Sequence, residues 1–473
     1  MSTLIKRSSI DMTEGPLLRK MLLFMLPMMA TNLLQIFYNS ADVMIAGLSS
    51  NQNAIGAVGS SGVFLALITN IFIGFSVGAD VVVARNIGAK DKDRISKSVH
   101  TAIFMSVIFG VLGSFVGITL ARPLLVAMKY TGDLLELSLI YCTIYLLALP
   151  FISLTNFLAA IFRSKGDTKT PLYVLSATGL LNVLLNLLFV LGLNMTVEGV
   201  AIATAVSNIV SAAVMFILLT KENGDCRIYL KKIRPSKSEF FDIFHIGFPS
   251  GIQNSFFSIS NMLIQSSIIR VDAMVAPGVN AYSPVVKGDS SAANIENLAF
   301  AFMNAVSQSA GTFTGQNVGV GNYRRVKKVL GTASFLAVVF AISASALIII
   351  CNEPLLSLYG VKKGADFLAK TAYEASMTRL WFRCAPFFLI ALMNTTAGVL
   401  RGLGKSITAA VIAFVGTCVF RVVWVLTVFE HFQTLESIYI SYPISWALNV
   451  LALLFFILTT LRKKIKEQDL KTA

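Results

Sequence analysis

The chain is organised by long apolar stretches separated by short polar ones. Twelve runs, at about 21–47, 55–84, 98–121, 134–160, 170–193, 198–220, 240–269, 292–315, 329–352, 372–400, 406–429 and 437–461, each reach ~20 residues or more, enough for a helix to cross a hydrocarbon layer of about 30 Å. They lack the every-second-residue alternation of barrel strands, which excludes a transmembrane β-barrel. The pattern predicts an all-α integral membrane protein of twelve transmembrane helices. The longest polar connections, Lys221 to Glu239 and Arg270 to Ser291, run to about twenty residues, too short for a further folded domain.

Composition agrees: 55% of residues are hydrophobic and 13% charged, where soluble proteins carry about 25% charged residues. The net charge of +15 would suggest nucleic acid in a soluble protein, so its placement matters. Of the 39 Lys and Arg, 29 fall in alternate connections: Lys6–Lys20, Arg85–Lys97, Arg163–Lys169, Lys221–Lys237, Arg324–Lys328, Arg401–Lys405 and Arg462–Lys471. Such one-sided excess marks the cytoplasmic face. Both termini are therefore expected in the cytoplasm of a multi-pass protein of the cell membrane, with no nucleic-acid partner. The polar stretch Met1–Lys20 precedes a span too long for a signal-peptide core, so no cleavage is expected.

The halves share landmarks at a slowly growing offset. Pro27, Asn32 and Asn39 precede Pro249, Asn254 and Asn261 by 222 residues; Asn86, Gly88 and Arg94 precede Asn317, Gly319 and Arg325 by 231; Pro150 precedes Pro386 by 236; Arg163 and Gly166 precede Arg401 and Gly404 by 238. Four ordered blocks with steady drift indicate an internal duplication. Six spans per half is an even number, so both halves enter from one side and form parallel repeats, an arrangement suited to alternating access. The expected organisation is an N-terminal segment 1–20, an N-lobe 21–220, a linker 221–239, a C-lobe 240–461 and a basic tail 462–473.

Polar residues inside the spans carry the candidate chemistry. In the first span Asn32, Gln35, Asn39 and Asp42 share one helical face with Tyr38 beside it. A carboxylate within a span costs several kcal/mol and marks an ion or substrate pathway; the competing interpretation is an interfacial Asp that caps a helix end. The fifth span offers Asn182 and Asn186, the sixth Thr204, Ser207 and Asn208, although such amides also serve simply to join helices. The seventh carries Asn254, Ser258, Asn261 and Gln265 without an acid. Both polar faces are candidates for lining a substrate cleft. Pro27 leaves a gap in the first helix's ladder and is a hinge candidate. Arg421, in the eleventh span, is either an ion-paired or carbonyl-anchoring residue or part of the translocation path, and Glu296 is a possible counter-charge.

Enzyme chemistry finds no support. Five cysteines show no metal-ligand spacing, the three histidines are isolated, no HExxH or GxSxG occurs, and no GK[ST] follows Gly319 and Gly321. No metal and no cofactor are expected, and transport would draw on a gradient of H+ or Na+.

The segments LLQIFYNSADVMIAG, GADVVVARNIGAKD, FRSKGDTKTP and LRGLGKS resemble the multidrug and toxic compound extrusion (MATE) family over nearly the whole chain. The resemblance implies a V-shaped transporter of two six-helix lobes that exports organic, chiefly cationic, small molecules in exchange for protons or sodium; its internal duplication allows it to work as a monomer. It implies an N-lobe cation site at Asp42, Asn182, Asn186 and Thr204, transiently holding the ion, with the amide of Asn186 where family members carry a second acid. A lone carboxylate suits one monovalent cation per cycle. The alternative is a lipid-linked oligosaccharide flippase of the same superfamily, which would need Arg or Lys for pyrophosphate; only Arg379, Arg383 and Arg421 are available within the spans.

Overall fold

The computed structural model describes residues 10–49, 51, 54–127, 130–275, 283–364 and 366–472; the first nine residues of the expected N-terminal segment, with Lys6 and Arg7, lie outside them. Among the described residues the chain is helical throughout: α1 Leu17–Ala46, α2 Ala54–Gly88, α3 Lys92–Ala127, α4 Gly132–Leu147, α5 Leu149–Ser164, α6 Lys169–Leu187, α7 Val197–Thr220, α8 Lys237–Val275, α9 Pro284–Val320 and α10 Tyr323–Ile350. There follow α11 Asn352–Ser357, α12 Phe367–Cys384, α13 Phe387–Gly402, α14 Ser406–Ala413, α15 Phe420–Trp424, α16 Glu430–Phe432, α17 Leu435–Tyr439 and α18 Ser441–Thr472. In an apolar solvent every backbone N–H and C=O must find its partner within the segment, which helices provide.

Each of the twelve expected spans coincides with helix, but the count by length and apolarity is lower. Among the described residues, eight helical stretches are long and apolar enough to cross a membrane, and ten if the bent pairs α4–α5 and α12–α13 each count as one span. The other two, α8 and α9, are helical but less apolar: between their charged ends α8 carries Gln253, Asn254, Ser258, Asn261 and Gln265, and α9 carries Asn297, Asn304, Ser307, Gln308 and Ser309. The chain is a multi-pass membrane protein.

The duplication has structural counterparts. The bent pairs turn by 48° and 46°, beside Pro150 and Pro386, the residues matched at an offset of 236. Proline removes one ladder hydrogen bond and crowds the preceding turn, which bends a helix there. The glycines matched at 238, Gly166 and Gly404, both end a span in the left-handed region, at φ 90° and 77°, where a Cβ would be strained.

Two compact units result: residues 1–252 with 315–322, and residues 253–314 with 323–473. Within the first, α3 and α2 pack on α5, α1 on α6, and α4 and α6 on α7. Within the second, α10 and α18 pack on α13. Large apolar side chains at the surface, such as Phe115, Leu184, Leu347, Leu426 and Phe455, are what a lipid-facing exterior requires.

The connection 221–236 is folded onto the first unit. His100 Nε2 accepts from Tyr229 N at 2.9 Å and Thr101 Oγ1 from Ser236 N at 2.9 Å, while Arg94 pairs with Glu239 at 3.1 Å and Asp242 at 3.3 Å. Cys226 and Ile228 are buried beneath it, and burial pushes the Cys226 thiol up to about 12, so it is not a reactive thiolate.

Glycines let two helices of this unit meet backbone to backbone. A Cβ on Gly74 would lie 2.2 Å from Gly251 N, and one on Gly78 would lie 2.4 Å from Ile243 O and 2.7 Å from Gly247 N. Each pair is spaced four apart, the small-residue spacing that lets two backbones touch. Replacing Gly78 by Leu is expected to destabilise by about 3 kcal/mol or more, seen as a lowered thermal unfolding midpoint in detergent; an unchanged midpoint would mean that α2 and α8 do not meet at this seam.

Candidate functional site

Asp42 lies one turn before the end of α1, buried at 7% exposure. Nothing of opposite charge meets it: among the described residues no cation lies within 4.0 Å of its carboxylate. Its partners are neutral donors on two other helices. Asn186 of α6 donates through Nδ2 to Oδ1 at 2.6 Å, and Thr204 of α7 donates through Oγ1 to Oδ2 at 3.3 Å. Asn182, one turn before Asn186, donates to Thr204 Oγ1 at 3.3 Å, and its Oδ1 accepts from Asn186 Nδ2 at 3.3 Å.

The spacing of these residues explains their convergence. Asn182 and Asn186 are four apart and share one face of α6, and α6 packs directly on α1 and α7. Tyr38, one turn before Asp42, braces the contact: its ring lies where a Cβ on Gly179 would be, 1.9 Å from Cε2, and its hydroxyl donates to Ser176 O at 3.2 Å. The four residues expected to form the site are therefore gathered in one cluster.

The cluster is rich in oxygen and poor in protons. Asn186 is fully buried, its Nδ2 committed to Asp42 and Asn182, and among the described residues its Oδ1 has no hydrogen-bond partner. An unmatched buried acceptor costs about 1–3 kcal/mol. Beside an unpaired carboxylate, it makes a place for one small cation or for a proton on Asp42. Among the described residues no three His, Cys, Asp or Glu come together as a metal-holding group.

The remaining candidates are more dispersed. Gln35 and Asn39 are exposed, and Asn32 and Tyr38 half-buried. Helix α1 runs unbroken through Pro27, and Thr31 Oγ1 donates to Pro27 O at 2.9 Å. In the second unit Asn254, Ser258 and Gln265 are half-buried and Asn261 is exposed, with Ser258 Oγ bonded to its own helix at Asn254 O.

Glu296 is not the counter-charge of Arg421. It accepts both arms of Arg379 at 3.1 Å and pairs with Arg383 at 3.2 Å, while Arg379 also meets Asp289, which accepts from Tyr439 OH at 2.6 Å. This buried network was not anticipated as a unit. The signal was present, since Asp289 and Glu296 are seven apart on α9, and Arg379 and Arg383 four apart on α12, each pair on one helical face.

A family model described as MatE matches residues 27–188 and 249–427. The chain belongs to the MATE family. It is 26% identical over 428 residues to the Probable multidrug resistance protein NorM of Thermotoga maritima, covering 89% of this chain and 88% of that protein. To the Probable multidrug resistance protein YoeA of Bacillus subtilis it is 24% identical over 445 residues, 92% of each. The Multidrug export protein MepA of Staphylococcus aureus matches at 25% over 252 residues, 53% of this chain and 56% of that one. Crystal structures of MATE in the bent and straight conformations each superpose with a TM-score of 0.84 at 22% identity, over 95% and 96% of this chain and 96% and 98% of theirs. MATE proteins are transporters, not enzymes.

The neutral setting of Asp42 in this MATE protein leads to a stability test. Asn186→Leu removes the 2.6 Å donor and leaves a buried carboxylate under-solvated, with an expected loss of about 1–3 kcal/mol. Asp42→Asn removes the unmatched charge and is expected to cost less or to stabilise. Thermal unfolding in detergent should therefore place Asp42→Asn above Asn186→Leu; the reverse order would show that the carboxylate is not the strained member of the cluster.

Proposed function

We propose that this protein is a secondary active multidrug efflux antiporter, exporting organic, chiefly cationic, small molecules in exchange for protons or sodium by alternating access. The observation that carries the reading is Asp42: one buried carboxylate, held by neutral donors, Asn186 and Thr204 among them, beside the unmatched Asn186 Oδ1. The names of the relatives, multidrug resistance and multidrug export proteins, support the substrate class. Residues 21–220 and 240–461 act as the two lobes, with both termini and the 221–239 connection in the cytoplasm and a single chain as the working unit.

Coupling then works by exclusion. A proton or Na+ at Asp42 neutralises the carboxylate and lets α1 repack, with Pro27 as the point of give. A cationic compound drawn to the polar faces of Asn32, Gln35 and Asn39 or of Asn254, Ser258, Asn261 and Gln265 competes with that state. Two ligands that favour different conformations weaken one another by the same factor.

The flippase reading is disfavoured by the ion pairs. Arg379 and Arg383 are matched by Asp289 and Glu296, which leaves too little positive charge among the buried arginines to hold a pyrophosphate.

Asp42→Asn should abolish gradient-driven export in reconstituted vesicles while the protein inserts and folds normally; drug resistance at wild-type expression would refute the coupling role. Equilibrium binding of a fluorescent cationic compound, titrated with sodium at fixed pH and then with pH at zero sodium, identifies the ion, and a response to neither would overturn the exclusion mechanism. For topology, Asn223→Cys in a cysteine-free background should resist an impermeant maleimide in intact cells, and ready labelling would invert the orientation.

A further inference from the structure

The buried charges of the second unit are not all ion-paired. Arg379 and Arg383 are matched by Asp289 and Glu296, but Arg421, 2% exposed in α15, has no carboxylate within 4.0 Å among the described residues. Its contacts are long and neutral: Ser260 Oγ at 3.3 Å, Asn261 Oδ1 at 3.5 Å and Ser445 Oγ at 3.5 Å. Its Nε is buried without a partner, as is that of Arg383. Both guanidiniums lie 4.0 Å from the Tyr442 ring centroid. The ring therefore soothes two cations at once and cannot supply the missing negative charge.

Two further observations converge on the same place. The helix around Arg421 is interrupted on both sides by π-helical turns, Phe414–Val419 and Val425–Phe429, a device concentrated at functional sites because the widened turn re-aims side chains. The other such turn among the described residues, Leu188–Gly192, directly follows Asn186. The offset of 238 that relates Gly166 to Gly404 also places Arg421 one residue from the position of Asn182. In the first unit that region of helix meets α1 at Asp42; in the second it meets α8, the counterpart of α1, at Ser260 and Asn261. The repeat thus presents the same helix-to-helix contact twice, with a carboxylate in one copy and a guanidinium in the other.

We propose that Arg421 is the centre of a site for one monovalent anion, either chloride or the carboxylate of a transported organic compound, with Ser260, Asn261 and Ser445 beside it. An unpaired buried cation is costly, and an anion that supplies the missing charge recovers that cost. A single unmatched guanidinium fits one negative charge and not a phosphate ester carrying two. The site goes beyond the cation coupling assigned to Asp42 and does not depend on it.

The test titrates purified protein with sodium chloride, and separately with sodium benzoate, in sodium sulfate at constant ionic strength. Readouts are the thermal midpoint and intrinsic tryptophan fluorescence, since Trp446 is buried with its ring 5.7 Å from that of Tyr442. The expected result is a saturable rise in midpoint with a parallel fluorescence change, lost in Arg421→Gln, weakened in Arg421→Lys and retained in Asp42→Asn. Saturation by chloride that benzoate cannot displace assigns an inorganic anion; displacement, or saturation by benzoate alone, assigns a carboxylate. A wild-type response that never saturates, or one that persists in Arg421→Gln, overturns the proposal. If Arg421→Gln does not fold, the wild-type curve and Arg421→Lys decide, and equal affinity in the two would also overturn it.

Discussion

A charge placed among apolar helices has to be matched, neutralised or supplied with a ligand, and the polar interior of this protein is arranged around that constraint. Three solutions coexist. Asp289, Glu296, Arg379 and Arg383 match one another through short bonds. Asp42 is solvated by amide and hydroxyl donors that soften its cost without cancelling its charge. Arg421 has only long neutral contacts and an aromatic face. Matched charges hold helices together; the incompletely matched ones are where an external ion has the most to gain by binding.

The second constraint is close packing where no hydrophobic drive distinguishes helix from lipid. Helices then hold together by fit and by polar contacts. The seam of Gly74 and Gly78 against Gly247 and Gly251 provides fit, and the Asp42 cluster provides polar contact between α1, α6 and α7. On the proposed coupling, one interaction serves both architecture and chemistry: the bond from Asn186 to Asp42 that fastens α6 to α1 is also the bond that an entering cation would rearrange.

The sequence carried much of this arrangement and withheld the rest for identifiable reasons. Apolar run length located helix in all twelve expected places because it is a local property. It could not foresee that α8 and α9 run on beyond the expected spans 240–269 and 292–315, since the acids and bases at their ends look like loop residues until Asp289 and Glu296 are seen paired with α12. Asp42, Asn182, Asn186 and Thr204 were legible as a set because helical spacing and the family resemblance pointed to the same residues. The partner of Glu296 was not, because choosing among Arg379, Arg383 and Arg421 requires distances between helices. The glycine seam was visible as spacing, yet glycines in pairs four apart acquire meaning only when another backbone lies against them. The π-helical turns beside Asn186 and Arg421 have no composition signal at all.

Duplication explains how opposite charges come to occupy related positions. A repeated helix pair keeps its partners wherever the fold is kept, so α8 meets the helix carrying Arg421 as α1 meets α6, while side chains at that contact can diverge. Asparagine stays at Asn39 and Asn261 in both copies, but the carboxylate of Asp42 has Ile264 at the 222 offset, and the guanidinium stands across from it on the partner helix. Each copy therefore carries one unbalanced charge on a different member of the pair. Because a ligand that balances such a charge binds the folded state and has no counterpart in the unfolded chain, occupancy and stability rise together. On the proposed cation and anion sites, the unfolding midpoint should respond to cations and to anions separately, and Asp42→Asn and Arg421→Gln should each silence one response without touching the other.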